Sequence, residues 1–217
     1  MITMRFLVTA GPTREHLDPV RFISNPSTGK MGFAIAEAAR KVSPHVTLIS
    51  GPTHLQPPRN VRFRPVVSAM ELFAAAKQGA HRADIVIMSA AVGDWRPVRA
   101  SKRKQKKKPG PQTITLVRTP DILAWLGKRK HAGQVLVGFA AETHNLLKCA
   151  RVKLERKNLD LIVANDVSAR DAGFASDTNR VILLWRDGTI ERLPKASKTR
   201  VARWIVQRVV RYAKVAS

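Results

Sequence analysis

IVIMSAAVGDW, the stretch from Ile85 to Trp95, decides the fold class. Its first residues, up to Ser89, form an almost wholly apolar run, as expected of a β-strand that is covered on both faces. Small residues follow at once, and Asp94 stands among them. In open parallel sheets, ligands bind beyond the carboxyl ends of the strands. The stretch therefore predicts a buried parallel strand followed by a loop that can carry chemistry.

Comparable apolar runs alternate with helical patterns along the rest of the chain. The other expected strands are Phe6–Thr9, Val46–Ser50, Val61–Phe63, Thr113–Val117, Val135–Phe139 and Leu161–Ala164. The expected helices are Gly32–Lys41, one after a capping box at Ser68–Glu71, one from Pro120, about His144–Lys157 and about Ser197–Ala213. This order predicts one α/β domain over residues 1–217, a doubly wound, mostly parallel, Rossmann-like sheet with helices on both faces. A hairpin through Asp187-Gly188 is expected at the sheet edge.

The amino-acid composition limits the classes of ligand and the cellular compartments to be considered. The chain has 39 Lys and Arg against 15 Asp and Glu, a formal net charge of +24. Such a charge attracts nucleic acid, anionic membranes or phosphate-bearing substrates without choosing among them. The single cysteine, Cys149, excludes an intramolecular disulfide and a multi-cysteine zinc site, which favours a reducing compartment. No apolar stretch approaches the length of a membrane span, so we expect a cytoplasmic protein without a membrane partner.

The loop after the first strand, Ala10–Gly32, ends in Gly29-Lys30-Met31-Gly32, where the first helix is expected to begin. Glycines at such a position let backbone N–H groups approach a phosphate. Neither the Walker A pattern nor the three-glycine dinucleotide fingerprint fits. Spacing alone leaves open a turn that only packs the helix against the sheet. Polar residues in the loop favour an anion or carbonyl site: Ser24, Asn25, Ser27, Thr28 and Lys30.

Charged residues at two other strand ends allow more than one interpretation. Asp94 could accept a hydrogen bond from a ribose hydroxyl or lie near a metal, although an Asp that caps a turn is commoner. Lys153 and Lys157 lie one helical turn apart on one face. Such a pair is usually only solvated, but it becomes an anion site if the neighbouring strand end holds a nucleotide. Cys149 has no His or Asp at a telling spacing, which favours a structural thiol.

A basic segment, SKRKQKKKPG at Ser101–Gly110, has six cations within Lys102–Lys108. It fits a nucleic-acid tail, a solvated loop or a flap over a phosphate-bearing substrate. Its charge alone does not choose among the three.

Six motifs together distinguish the chain from other proteins with a nucleotide-binding α/β fold. They are TAGPTRE (Thr9–Glu15), LDPVRFISNPSTGKMG (Leu17–Gly32), SAAVGDW (Ser89–Trp95), TPDIL (Thr119–Leu123), GFAAET (Gly138–Thr143) and KNLDLIVANDV (Lys157–Val167). In this order they resemble the bacterial phosphopantothenate–cysteine ligase family of coenzyme A biosynthesis, nearly end to end. The resemblance implies a homodimer that joins 4′-phosphopantothenate to L-cysteine through an acyl-cytidylate. It also implies CTP as the nucleotide, with Mg²⁺ bound to its triphosphate.

The resemblance also implies roles for individual residues. Asn25 and Lys104 are the catalytic candidates, and Lys104 matches the lysine of a mobile basic flap at about 98–111. The implied nucleotide-binding residues are Met88, Ser89, Ala90, Asp94, Lys104, Pro120, Asp121, Ile122, Leu123, Phe139, Lys153 and Lys157. The implied substrate-binding residues are Arg21, Asn25, Ala90 and Ala91. No side chain is assigned as a metal ligand.

Two further expectations concern what the chain does not do. Many family members are fused behind a flavin-dependent decarboxylase, whereas this sequence starts at the ligase strand, so we expect neither FMN nor decarboxylation. The alternatives are a basic nucleic-acid-binding protein and an NAD(P)-dependent oxidoreductase on a Rossmann-like fold. The basic segment has no interleaved aromatic residue and the three-glycine fingerprint is missing, so we expect no specific nucleic acid and no dinucleotide.

Overall fold

The computed structural model describes residues 3–107, 109–142, 145–166 and 176–216. The helices in these ranges are α1 (Lys30–Arg40), α2 (Ala69–Ala80), α3 (Ile122–Arg129), α4 (Leu146–Arg156) and α5 (Lys198–Ala216). The strands are β1 (Phe6–Ala10), β2 (Arg14–His16), β3 (Phe22–Ser24), β4 (Val46–Ser50), β5 (Arg62–Pro65), β6 (Ile85–Met88), β7 (Trp95–Pro97), β8 (Leu116–Arg118), β9 (Val135–Glu142), β10 (Leu161–Asp166), β11 (Thr178–Asn179), β12 (Val181–Trp185), β13 (Ile190–Arg192) and β14 (Ala196–Ser197). Lys108, Thr143, His144 and Val167, which the sequence analysis places in the flap, in motifs or in a helix, lie outside the described residues.

The main sheet confirms the predicted architecture. Its strands run in the order β13-β12-β10-β9-β6-β1-β4-β5, and the six from β10 to β5 are parallel. The hairpin β12–β13 closes one edge with antiparallel pairing, as expected from Asp187-Gly188. The order of connection reverses between β1 and β6, so a crevice forms beyond their carboxyl ends.

Both faces of the sheet are covered by helices, which explains why its strands are apolar throughout. On one face α1 and α5 pack together and bury Ile35 and Ile205 completely. On the other face α2, α3 and α4 bury residues such as Leu72 and Leu136. Complete burial of each such side chain stabilises the fold by about 1.5–3 kcal/mol relative to exposure. These two cores hold the loops at the carboxyl edge in fixed positions.

The helix α2 begins at the predicted capping box. The Ser68 side chain accepts a hydrogen bond of 3.2 Å from the Glu71 backbone N–H. The Glu71 carboxylate accepts in return from the Val67 N–H at 2.8 Å, one residue before the expected partner. Two backbone donors at the helix start are thus satisfied, as a capping box requires.

Three regions differ from the sequence-based expectations. The short strands β11 and β14, which pair with each other outside the main sheet, were not expected. The loop after β1 contains a hairpin, β2–β3, whose residues are too few and too mixed in polarity to show a strand pattern. The strand expected at Thr113–Val117 is shorter, and it pairs with β7 outside the main sheet. Its side chains are exposed, because the two-stranded ribbon β7–β8 covers no core of its own. The other element boundaries differ by only a few residues.

No helix in the described ranges combines the length and the hydropathy that crossing a membrane requires.

Candidate functional site

A cavity of about 580 Å³ lies at the carboxyl edge of the parallel strands, beside the crevice between β1 and β6. Its walls come from loops and helix ends that are distant in sequence. Most of the predicted site residues line it: Asn25, Met88, Ser89, Ala90, Ala91, Asp94, Pro120, Asp121, Ile122, Leu123, Phe139, Lys153 and Lys157. The fold therefore brings these residues to one place, while their roles stay predictions.

The first helix meets the cavity through two glycines. Gly29 is the N-cap of α1 and has a φ of 78°, a left-handed conformation that glycine adopts readily. A Cβ on Gly32 would lie 2.5 Å from the Ala10 Cβ and 2.6 Å from the Ser89 Oγ. Gly32 thus allows α1 to pack closely against the ends of β1 and β6. The loop packs helix against sheet and also lines the cavity, so it does more than pack the helix, while an anion or carbonyl site in it stays a prediction.

The loops after β1 and β6 are joined by hydrogen bonds, and we call this pair of loops, Thr9–Thr13 and Ser89–Gly93, the cavity floor. The Ser89 hydroxyl donates to the Thr9 carbonyl at 2.7 Å. The Gly93 N–H donates to the Thr13 hydroxyl at 2.9 Å. Two backbone bonds add to them: the Ala91 N–H donates to the Gly11 carbonyl at 2.9 Å, and the Thr13 N–H donates to the Ala91 carbonyl at 3.2 Å. The floor is therefore a rigid support for the polar residues above it.

Asn25 lies against this floor and contacts it through its amide. The side-chain nitrogen donates to the carbonyl oxygens of Ala91 and Val92, at 3.3 and 3.1 Å. Both amide hydrogens have acceptors in this conformation, which leaves the amide oxygen to interact with a ligand. An aspartate here would turn a negative charge toward two carbonyl oxygens. The amide therefore supports the local structure, in addition to any role in catalysis.

Asp94 lies at the mouth of the cavity and is exposed. Its backbone carbonyl accepts from the Thr119 N–H at 3.0 Å, which attaches the loop after β6 to the start of the TPDIL motif. Its carboxylate makes no hydrogen bond to the described part of the chain, so the turn-capping interpretation gains no support. The carboxylate is available to a ligand in the cavity.

Lys157 and Asp121 form an ion pair on the α3–α4 side of the cavity. The Lys157 Nζ lies 3.0 Å from one Asp121 carboxylate oxygen and 3.1 Å from the other. Asp121 is also the N-cap of α3 and accepts from the Ala124 N–H. Burial by itself would raise the pKa of Asp121, but the Ala124 N–H and the Lys157 ammonium hold it below its ordinary value. The pair keeps a cation and an anion fixed at the cavity wall.

Lys153 lies in the last turn of α4, whose C-cap is Lys157, and its Nζ donates to the Phe139 carbonyl at 2.7 Å. This bond fixes the ammonium at the end of β9, beside the Phe139 ring that also lines the cavity. The two lysines are only partly exposed. They are therefore positioned by the protein and are not simply solvated.

A second group of charges, on the α1–α5 side, was not identified as a group from the sequence. Lys30 at the start of α1 forms an ion pair of 2.6 Å with Asp177, and Lys198 at the start of α5 also lines the cavity with only 7% of its surface exposed. Burial lowers the pKa of Lys198, and the Lys30 ammonium lowers it further, while Asp177 acts in the opposite direction. These residues are up to 168 positions apart, and no sequence spacing could have connected them.

Two predicted site residues lie outside the cavity wall within the described chain. Arg21 is in the turn of the β2–β3 hairpin, where it forms an ion pair with Asp18. Lys104 is in the exposed basic flap. Neither residue lines the cavity in this conformation.

The fold and the cavity define a class of protein: a doubly wound α/β domain with a cation-rich ligand site at the point where its strand order reverses. Within this class, the chain belongs to the family described as the DNA/pantothenate metabolism flavoprotein C-terminal domain, whose model matches residues 1–212. The family resemblance found in the sequence is thereby confirmed.

Named relatives agree with this assignment. The chain is 49% identical over 209 residues to the coenzyme A biosynthesis bifunctional protein CoaBC of Bacillus subtilis (strain 168), a match that covers 96% of this chain and 51% of that protein. It is 45% identical over 210 residues to CoaBC of Escherichia coli (strain K12), covering 95% and 52%. The chain thus spans about half the length of the curated relatives that it matches.

Solved structures agree as well. The crystal structure of the C-terminal domain of CoaBC is 42% identical and superposes with a TM-score of 0.83, covering 97% of this chain and 96% of that one. A DNA/pantothenate metabolism flavoprotein from Streptococcus pneumoniae, 24% identical with a TM-score of 0.82, has the same fold.

Proposed function

We propose that the chain is a phosphopantothenate–cysteine ligase that uses CTP. One observation carries the proposal: the loops of all six family motifs contribute to, or adjoin, one cavity in which Asn25, Asp94, Phe139, Lys153 and Lys157 converge. The identity of 42% to the CoaBC C-terminal domain over nearly the whole of both chains supports it. The family match favours this reaction over nucleic-acid binding and over dinucleotide-dependent redox chemistry.

The first step of the proposed reaction joins two anions. The carboxylate of 4′-phosphopantothenate attacks the α-phosphorus of CTP, the bond from that phosphorus to the β-phosphate oxygen breaks, and pyrophosphate leaves. Repulsion between the reactants must be offset by cations placed in advance, since such preorganised charges stabilise the transition state most effectively. The cavity has them on both sides: Lys153 and Lys157 by α4, and Lys30 and Lys198 where α1 and α5 begin.

The second step forms the amide. The amino group of L-cysteine attacks the acyl carbon of the acyl-cytidylate, the bond from that carbon to the phosphate oxygen breaks, CMP leaves, and the nitrogen loses a proton. We assign to Asn25 the task of holding the acyl-cytidylate: its amide oxygen accepts a hydrogen bond from a hydroxyl or amide N–H of the intermediate, while its nitrogen keeps donating to the floor. Ala90 and Ala91 leave room for the acyl chain because their side chains are small. Closure of the flap with Lys104 would exclude water from the anhydride.

We propose that Mg²⁺ enters with the triphosphate. Among the described residues no group of three His, Cys, Asp or Glu side chains could hold a metal ion. Mg²⁺ commonly binds substrate phosphates with one or two carboxylates, and Asp94, which lines the cavity and is exposed, fits that use. Bound there, the ion would neutralise part of the triphosphate charge.

We also propose a cytoplasmic homodimer. The two ribbons β2–β3 and β7–β8 contact each other and expose large apolar side chains. These are Val20, Phe22, Trp95, Val98 and Leu116. A cluster of exposed apolar residues beside a ligand site is typical of an interaction surface. Sedimentation of the purified chain as a monomer at micromolar concentration would contradict the dimer.

One assay tests the proposed function. Purified protein incubated with CTP, Mg²⁺, 4′-phosphopantothenate and L-cysteine should release CMP and pyrophosphate in equal amounts. Leaving out cysteine should leave only a limited release of pyrophosphate, and replacing CTP by ATP tests the nucleotide choice. Protein that is folded by circular dichroism and yields neither product with any nucleotide would rule out the ligase.

A further inference from the structure

The turn of the β2–β3 hairpin is built around a buried carboxylate. The Asp18 side chain is fully buried, and one of its oxygens accepts from the backbone N–H groups of Val20 and Arg21 at 2.8 and 2.9 Å. The other oxygen accepts from the Arg21 guanidinium, at 3.0 Å from Nε and 2.5 Å from Nη2. The hydrogen bonds from Arg21 hold the pKa of Asp18 well below its usual range, against the opposing effect of burial. Asp18 is therefore a charged acceptor at neutral pH.

The same two side chains hold the basic flap by its backbone. The Gln105 N–H donates to the second oxygen of Asp18 at 3.2 Å, and the Gln105 carbonyl accepts from the Arg21 Nη2 at 2.9 Å. Four residues earlier, the Ser101 N–H donates to the Leu17 carbonyl at 2.9 Å. We call the three residues Asp18, Arg21 and Gln105 the latch. It fixes both peptide groups that flank Gln105, and one of these is the peptide bond to Lys104.

The latch determines where Lys104 can be. While Gln105 is held on the hairpin, Lys104 is exposed and does not line the cavity. The flap makes these contacts with a few hydrogen bonds and little apolar burial, so it can dissociate without loss of the core. Both latch bonds to Gln105 involve a charged side chain, and such hydrogen bonds are stronger than those between neutral groups. They stabilise one open position of the flap, which therefore competes with the closed position.

We propose that Asp18 is a positioning residue for Lys104: with Arg21 it holds the flap away from the cavity, and the flap must leave Asp18 before Lys104 can reach a nucleotide there. The part about the nucleotide rests on the proposed ligase function, whereas the latch itself does not. The Arg21 side chain is half exposed, so a phosphate monoester could compete with the Gln105 carbonyl for its guanidinium. Binding of such a substrate would then loosen the flap.

The variant Asp18→Asn should remove the hydrogen bond to the flap while keeping those that shape the hairpin turn. Its amide oxygen can still accept from Val20 and Arg21, but its NH₂ group cannot accept from the Gln105 N–H. Hydrogen exchange of the backbone amides is the direct readout. We expect the Gln105 amide to exchange about tenfold faster than in the wild type, as loss of a hydrogen bond to a charged group implies. Amides in β1 and α1 should be unchanged.

Asp84→Asn is the matched control. Asp84 also accepts hydrogen bonds from an arginine: the backbone N–H and the guanidinium of Arg5 donate to it. This pair lies at the amino ends of the parallel strands, where β6 begins, and so far from the flap. This control should not alter exchange in the flap. If Asp18→Asn leaves the Gln105 amide as slow as in the wild type, the latch does not hold the flap and the proposal is wrong, whether or not the protein is a ligase.

Titration with CTP tests the direction of the effect. If the latched flap competes with closure, its release raises the fraction of chains that can close, so the apparent Kd and KM for CTP should fall several-fold, up to about tenfold, with kcat changed less. A higher KM, or a loss of kcat at unchanged KM, would mean that the latched position is the productive one, and would overturn the proposal. Gln105→Pro removes the same N–H donor from the flap side and serves if Asp18→Asn fails to fold.

Discussion

The cavity floor and the flap differ in how they are held. The floor is largely buried or half-buried, joined by backbone and hydroxyl hydrogen bonds, and packed against α1 through Gly32. The flap is exposed and attached through the latch and the bond from Ser101. A rigid floor can position reacting atoms, and a weakly held flap can open and close over them. Changes in the floor should therefore affect both stability and chemistry, whereas changes in the flap should affect chemistry alone.

Lys104→Gln tests this difference with the largest expected effect. Removal of the proposed flap ammonium should lower kcat about 10²-fold, as loss of one stabilising group at a transition state commonly does. The free energy of unfolding should stay within about 0.5 kcal/mol of the wild type, because exposed surface substitutions rarely change it more. Steady-state kinetics and urea denaturation measure the two quantities. Lys102→Gln is the control. An equal loss of kcat in this variant would mean that the total charge of the flap matters and that Lys104 has no specific role.

Gly32→Ala tests the floor. The new Cβ would lie 2.9 Å from the Thr9 carbonyl oxygen as well as against Ala10 and Ser89, so α1 has to shift. We expect a loss of about 1–3 kcal/mol in the free energy of unfolding, the usual cost of overpacking. Turnover should fall with it, because α1 lines the cavity.

Gly79→Ala provides the comparison for this substitution. Gly79 is also helical, but its Cβ would meet only the flexible end of Leu7, at 3.0 Å. There the higher helix propensity of alanine should offset the contact. Urea denaturation that finds the two variants equally stable would contradict the tight packing of the floor at Gly32.

Asn25→Asp has the smallest expected effect. It tests whether a residue that contacts the floor acts on the chemistry or only on the structure. The carboxylate loses the two donors that reach the floor and faces the carbonyls of Ala91 and Val92. We expect the acyl-cytidylate to accumulate while amide formation slows by about tenfold, equivalent to about 1.4 kcal/mol of barrier. Rapid-quench analysis with labelled CTP follows both steps. Equal slowing of both steps would leave Asn25 with a structural role only, and Asn60→Asp, in an exposed turn, is the control.

Much of the fold could be predicted from the sequence because it depends on local patterns. Short apolar runs such as Ile85–Met88, bounded by turn residues, favour strands buried on both sides. Ser68 with Glu71 marks the start of a helix by its own hydrogen bonds. The hairpin β2–β3 and the ribbon β7–β8 were missed or misplaced since their strands, of three residues each, are stabilised by pairing with each other and not by a core.

The candidate site was predictable to the extent that it lies in recognisable motifs. Asp94 follows strand β6, and Lys157 ends the helix α4. In a parallel α/β sheet the loops after the strands lie at the carboxyl edge, where ligands bind. Lys198 could not be found in this way, because it reaches the cavity only after α5 packs against α1.

The sequence by itself determined the alternating elements, the edge of the sheet at which a ligand can bind, and the family, because each is encoded in short apolar or glycine-containing segments. Only the tertiary structure decided which charges face each other: Lys30 with Asp177, Lys157 with Asp121, and the latch between Asp18 and Gln105 across 87 positions. The reason is physical. An ion pair acts over a few ångströms, and the path of the folded chain, not its spacing in sequence, sets those distances.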